Sequence, residues 1–179
     1  MNISTPRFIL KPISENDWIF FLALRQDETL MRYMSDVAQR AEIQALFERR
    51  LKAWKEETFT PKTWIIHDRL NHAQALGEIG IARQAMARQH GEVGYTICTA
   101  AQGKGVASET LAAVCRDAFD KGDYQCLDAR VLGGNQGSIR VLEKCGFRLQ
   151  QTVKNGYSLH GRYHDDLLYR LEKARSLVG

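Results

Sequence analysis

The chain has 179 residues, of which 44% are apolar and 26% charged; that is enough for one domain with a sizeable core and too short for two comfortable ones. The net charge of +4 is scattered rather than massed, so the basic residues read as solvated faces and no direct nucleic-acid partner is expected. No signal pattern opens the chain, no run approaches the ~20 apolar residues of a bilayer span, and Cys98, Cys115, Cys126 and Cys145 form no C-x-x-C pair, so the expectation is a cytoplasmic protein with reduced thiols and no membrane partner.

Residues 7–11 read as a strand stopped by Pro12. Ser14-Glu15-Asn16-Asp17 is a capping signal ahead of a helical face made by Trp18, Phe21, Leu22 and Arg25. A short helix over 28–34 follows. A longer one, capped at Ser35 or Asp36, repeats Ile43, Leu46, Phe47, Arg50, Leu51 and Trp54 at helical spacing until Pro61 ends the region. Strands over 63–67 and 76–82 flank a polar hairpin loop, and 83–91 reads as a turn. Residues 92–98 alternate Val93, Tyr95 and Ile97 against a more polar face, the period of a half-buried strand. Residues 107–121 are helical up to Gly122, and 125–132 is a strand. Short connections make the pairing antiparallel up to 92–98, whereas the strand-helix-strand unit after it demands a parallel pair. Asn135 opens a helix that Gly146 ends. Strands over 147–153 and 164–171 then flank a long loop, and the polar tail 172–179 reads as a frayed end.

Between the strand 92–98 and the helix 107–121 stands Gln102-Gly103-Lys104-Gly105-Val106-Ala107. A helix that opens on a Gly-rich turn presents unpaired N–H groups and the positive end of its dipole, and two missing side chains let an anion come close. The same glycines also suit a tight turn at positive φ, and the hexapeptide alone does not separate that from a pyrophosphate cradle. It is neither a P-loop nor a dinucleotide fingerprint. No metal role is expected, since His160 and His164 flank a hairpin-like region and no H-E-x-x-H is present.

The hexapeptide matches Q/R-x-x-G-x-G/A through Gln102, Gly105 and Ala107. Asn135-Gln136-Gly137-Ser138-Ile139-Arg140-Val141-Leu142-Glu143-Lys144-Cys145-Gly146-Phe147 resembles N-x-x-S-I-x-x-L-E-K-x-G-F. With residues 5–12 as a first strand and 165–171 as a last, the chain resembles the GNAT acetyltransferase superfamily at four places in order, in the branch of ribosomal-protein N-terminal acetyltransferases. The resemblance implies an α/β (α+β) GNAT fold as a single domain over 1–179, with a mixed central sheet of about six to seven strands, helices on both faces and splayed central parallel strands. It implies acetyl-CoA as cosubstrate. Ile97, Cys98 and Thr99 would meet the pantetheine arm through their main chain. Gln102 opens the motif in which Gly103, Lys104, Gly105, Val106 and Ala107 would hold the pyrophosphate, and Asn135 and Ser138 would touch the pantetheine or acyl arm. Asn135 equally suits an N-cap, and Lys104 a solvent-facing turn.

The implied reaction is attack of a neutral amine on the thioester, with a backbone N–H near Cys98 polarising the carbonyl. Glu92 is the expected base, directly or through water, with Glu78 as second candidate; each also fits an ordinary strand charge. Ser138 is the expected acid for the leaving sulfur, because the Tyr common in this helix of the superfamily is Leu142 here, although a thiol of pKa ~8.5 also leaves without strict acid help. Deprotonating an α-amine of pKa ~8 at pH 7 costs ~1.4 kcal/mol, and a lysine amine of pKa ~10.4 more than three times that. The branch resemblance implies a peptide or protein N-terminal α-amine as acceptor, with a ribosomal protein as the type case. A small-molecule amine (polyamine, amino acid or antibiotic) and a non-catalytic acyl-CoA sensor are the alternatives, and the protein is expected to be a monomer or homodimer. The acceptor groove is implied to lie between Trp18, Met31, Tyr33 and Met34 on one side and Tyr157, His160, Arg162 and Tyr163 on the other, residues that also fit packing or a solvated loop.

Overall fold

A computed structural model describes residues 1–54, 59–85 and 87–174; the expectation for the tail beyond 174 lies outside the described residues. The chain begins with β1 (Ile3–Ser4) and β2 (Phe8–Pro12), followed by α1 (Trp18–Gln26), α2 (Glu28–Met31) and α3 (Arg40–Lys52). Next come β3 (Lys62–Asp68), β4 (Ala75–Gln84), β5 (Ala87–Ile97), α4 (Val106–Asp120), β6 (Cys126–Leu132), α5 (Gln136–Lys144), β7 (Arg148–Leu159) and β8 (Arg162–Glu172). Among the described residues no helix is long and apolar enough to cross a membrane.

The strands form one eight-stranded sheet in the order β1-β2-β3-β4-β5-β6-β8-β7, one strand more than expected because the chain start pairs Ile3 with Leu10. As the connections required, pairing is antiparallel through β5 and parallel between β5 and β6. Three local readings change. The turn expected over 83–91 is mostly ladder, since Arg83 pairs with Gly91 and β5 starts at Ala87; polar side chains hid a strand that backbone bonds hold. The helix expected to start at Ser35 or Asp36 starts at Arg40, where the Glu42 carboxylate accepts from the Gln39 amide at 2.8 Å. The long loop expected between the last two strands is a projecting hairpin that turns at His160 and Gly161, both at positive φ, with Asn155 (φ 51) at a register shift.

Opposite faces of the sheet are covered by different helices. Leu111, Val114, Cys115 and Ala118 of α4 and Leu142 of α5 pack on Ile79, Val93, Ile97, Leu127 and Val131, each large aliphatic side chain contributing about 1.5–3 kcal/mol by burial. On the other face α1 and α3 pack Phe21, Leu22, Ile43 and Phe47 on Ile13 and Ile65.

The feature that positions everything else is a break in the ladder. β5 pairs with β6 at His90, Gly91 and Glu92 and then stops, while β6 stays paired with β8 up to Leu132 and Asp166. Past Glu92 the two central strands part, as expected, and the edge of β5 that faces β6 has no strand partner.

Candidate active site

Two glycines shape the loop between β5 and α4. Gly103 (φ 73) and Gly105 (φ 78) are left-handed, the region that disfavours other residues. Gly105 is the N-cap of α4 and offers no capping side chain, so the N–H groups of Val106, Ala107 and Ser108 have no intrahelical acceptor. A Cβ on Gly103 would meet nothing within 4 Å, so the space in front of the loop is open. Two other members of the motif turn inward. Gln102 Nε2 donates to the Ile97 carbonyl at 3.0 Å, and Lys104 Nζ to the Ala100 carbonyl at 2.8 Å. In the sequence Arg7 reads only as a strand residue. Its Nε lies 2.7 Å from Glu109 Oε2 and its Nη1 donates to the Lys104 carbonyl at 3.0 Å, so it props the loop from below. Burial alone would push the Glu109 carboxyl up, but hydrogen bonds from Thr5 and Arg7 hold it below the ordinary range.

Along β5 the backbone groups alternate between the two neighbouring strands. Cys98 donates its amide to the Leu76 carbonyl at 2.9 Å, so it faces β4. This corrects the expectation for Cys98: its N–H is engaged, and by alternation the amides turned to the gap are those of Tyr95 and Ile97. Thr99, exposed, accepts from the Gln102 amide at 3.2 Å in a single 3-10 turn.

Across the gap, Asn135 Oδ1 accepts from the Ser138 amide at 3.1 Å, the N-cap role anticipated for it. Ser138, half-buried, accepts through its carbonyl from the Tyr95 hydroxyl at 3.3 Å; burial pushes that phenol up to about 12. Tyr95 thus ties the strand to the first turn of α5, a contact the alternating pattern counted only as core. Leu142 is 1% exposed and belongs to the core, so its position has no access to a leaving group.

The face of β5 opposite Val93 and Tyr95 carries Glu92, Gly94 and Thr96. Glu92 makes no hydrogen bond or salt bridge with any described residue. Desolvation on the crowded sheet surface pushes its carboxyl up, Arg130 pulls it back, and Asp128 and Asp166 raise it further. The neighbouring carboxylates are all engaged: Asp128 with Arg170 at 2.6 Å, Asp166 with Arg130 at 2.5 Å and Asp165 with Lys154 at 2.6 Å. Burial would raise the Asp128 carboxyl, but Arg170 and Gln84 hold it below its usual value. Glu78 is buried against Arg25 in an ion pair, which removes it as a candidate base.

Of the expected groove residues, Trp18 packs on Phe47 with ring centroids at 5.3 Å and Met31 is buried beside Leu24 and Leu30, so both are structural. Met34 instead lies on β5, its sulfur accepting from the Thr96 hydroxyl at 3.3 Å, and Tyr33 faces Gly134 in the β6–α5 turn. Tyr157 and His160 reach Met34 and Asp36, whereas Arg162 and Tyr163 are exposed at the hairpin tip. Among the described residues no group of three or more His, Cys, Asp or Glu gathers as a metal site.

Residues 7–148 match the acetyltransferase (GNAT) domain family. The chain belongs to the GNAT acetyltransferase family. A GNAT relative, the uncharacterized N-acetyltransferase YoaA of Bacillus subtilis (strain 168), is 25% identical over 173 residues, covering 97% of each chain. Among solved GNAT folds, the acetyltransferase that modifies the N-terminal serine of ribosomal protein L7/L12 in Salmonella typhimurium superposes with a TM-score of 0.84 at 19% identity, over 97% of this chain and 100% of that one. The spermidine N-acetyltransferase of Vibrio cholerae, solved with CoA and spermine, gives 0.81 at 16% identity, over 94% and 96%. The chain is therefore a GNAT acyltransferase that uses acetyl-CoA.

The residues present suit that cosubstrate. An arm carrying amide groups finds no strand partner on the Tyr95 backbone or the Ile97 amide, the relation an added strand has to a sheet edge, while the Ile97 carbonyl is already taken by Gln102. A pyrophosphate finds the free N–H groups of Val106, Ala107 and Ser108 with no side chain at Gly103 or Gly105 in the way.

Proposed function

We propose that this GNAT enzyme acetylates a peptide or protein N-terminal α-amine. Acetyl-CoA supplies an acetyl group on a thiol leaving group. The chain holds it at the β5–β6 gap, with the Ile97 amide facing the acyl carbonyl, and Glu92 accepts the proton that the attacking amine gives up, directly or through water. Ser138, at the start of α5, is the residue offered to the departing sulfur.

The observation that carries the reading is the set of carboxylates on the acceptor face. Among the described residues Glu92 has no hydrogen-bond or salt-bridge partner, while its neighbours Asp128, Asp165 and Asp166 are each held by a cation. A single free carboxylate suits an acceptor with one amine to deprotonate. A polyamine brings a second ammonium, and the aspartates beside Glu92 are already paired with cations. Desolvation raises the proton affinity of the Glu92 carboxylate, and an α-amine, with the lower pKa, asks less of such a base than a lysine does.

The test is thiol release from acetyl-CoA by the purified chain with N-terminal peptides, lysine peptides blocked at the N-terminus, and spermidine. Turnover concentrated on free N-termini, and lost in Glu92→Gln, is the expected result. Turnover on spermidine or on blocked lysine peptides, with none on free N-termini, overturns the reading.

A further inference from the structure

Gly94 is exposed on the acceptor face. A Cβ on Gly94 would meet no atom within 4 Å, whereas one on its β4 partner Gly80 would meet Arg50 Nη1, Pro61 Cβ and Thr63 Oγ1, each at 3.2 Å. The open space thus lies over β5 and not over its β4 neighbour, at the level where β6 has just parted. With a rise of ~3.3 Å per residue, Glu92 and Thr96 each lie about 7 Å from Gly94 along the strand. Glu92 closes one end with a carboxylate that no described residue pairs. Met34 closes the other, seated on the hydroxyl of the buried Thr96.

Met34 is fastened in place. Its carbonyl accepts from the Tyr157 hydroxyl at 3.4 Å, and Asp36 Oδ1 accepts from the His160 amide at 3.1 Å and lies 2.7 Å from His160 Nδ1. These contacts join the α2–α3 connection to the tip of the β7–β8 hairpin, where Leu159 is buried. One wall of the acceptor face is therefore clasped to the other.

We propose that the acceptor amine enters through the slot over Gly94, and that Gly94 and Met34 are specificity-determining residues, with the Tyr157 and His160 clasp fixing the position of Met34. The inference rests on the reading of Glu92 as base, because the slot is the approach that brings an amine between Glu92 and the Ile97 amide. A side chain at Gly94 would stand in this approach between Glu92 and Met34, so the missing Cβ favours a primary amine that is unbranched at its reacting end. Gly94 is not in the left-handed region and its Cβ direction is open, so a side chain at this position leaves the strand unstrained and occupies only the slot.

Gly94→Ala and Gly94→Val, made in the full chain, separate this from a structural role. Melting temperature and acetyl-CoA Kd are read beside kcat/KM for peptides beginning with Gly or Leu and for a linear diamine. The expected result is an unchanged melting temperature and Kd, a wild-type preference for Gly over Leu, and a loss of about tenfold or more in kcat/KM, carried by KM, in Gly94→Val with a smaller loss in Gly94→Ala. Releasing the clasp with Asp36→Ala and Tyr157→Phe together narrows the Gly-to-Leu preference. Wild-type kcat/KM in Gly94→Val, or equal use of Gly and Leu peptides by the wild type, overturns the slot. Turnover of the diamine and of no peptide, still lost in Gly94→Val, overturns the α-amine reading and leaves the slot supported.

Discussion

Arg7 Nε and Glu109 Oε2 stand 2.7 Å apart across 102 positions of chain, joining the start of β2 to the first turn of α4. The same guanidinium donates to the Lys104 carbonyl in the middle of the glycine turn. Arg7 is 52% exposed at its side chain, so solvent screens the pair and it contributes only ~0–1 kcal/mol to the fold. Arg7→Ala should therefore leave the melting temperature nearly unchanged. It should raise the Kd for acetyl-CoA about threefold to tenfold, the worth of a lost hydrogen bond in the loop, measurable by calorimetry.

Glu92→Gln should abolish most of the turnover and yet raise thermal stability at neutral pH. The Glu92 carboxyl titrates above its ordinary value because desolvation favours the neutral form. The folded state then binds its proton more tightly than the unfolded state, so the ionised side chain costs stability above the folded pKa, and wild type and variant converge as pH falls below the unfolded value of about 4.3. Melts at several pH values check the sign. The same group predicts that wild-type kcat/KM falls on the acid side as Glu92 protonates, a limb missing from the residual activity of the variant.

The pair Arg25 and Glu78 is buried on both sides, with Arg25 Nη1 and Glu78 Oε2 lacking hydrogen-bond partners. Glu78→Leu leaves a buried guanidinium uncompensated and should destabilise the protein by about 3–5 kcal/mol by denaturant unfolding. Adding Arg25→Met should recover part of that loss, since it removes one stranded guanidinium while Arg50, desolvated by burial beside Glu78, keeps another. Activity of the double variant should stay close to wild type, because neither side chain is offered to substrate.

Leu142→Tyr places the residue common in the superfamily where this chain has leucine. Leu142 is 1% exposed and packed among α4 and the sheet, so the added ring and hydroxyl overpack a closed site. The expected outcome is a loss of about 1–3 kcal/mol with no gain in kcat.

Much of this architecture was legible because it is written in periodicity and in glycine. The alternation of Val93, Tyr95 and Ile97 put Glu92 on the opposite face, and the helix after Gly105 forced the parallel pair beside it. What escaped was decided by partners distant in sequence. Glu78 and Glu92 look alike in the chain, and only the approach of Arg25 from α1 separates an occupied carboxylate from a free one. Cys98 is one residue from Ile97, yet the register with Leu76 turns its amide away from the gap. The segment 154–164 is polar and carries two glycines, so it reads as loop; its strand character comes from pairs such as Tyr157 with His164, which no local pattern announces.

The parted ladder leaves the two halves of the sheet joined by backbone pairing only from His90 to Glu92. On one side hang β1 to β5, on the other β6, β8 and β7, and the Tyr95 hydroxyl on the Ser138 carbonyl is a light stay between them. An acyl carrier lying in the opening touches both leaves at once, so its first effect is on stiffness rather than shape. Amide exchange at Tyr95 and Ile97 and along the free edge of β6 should slow when acetyl-CoA is added, and the two leaves should then melt as one unit.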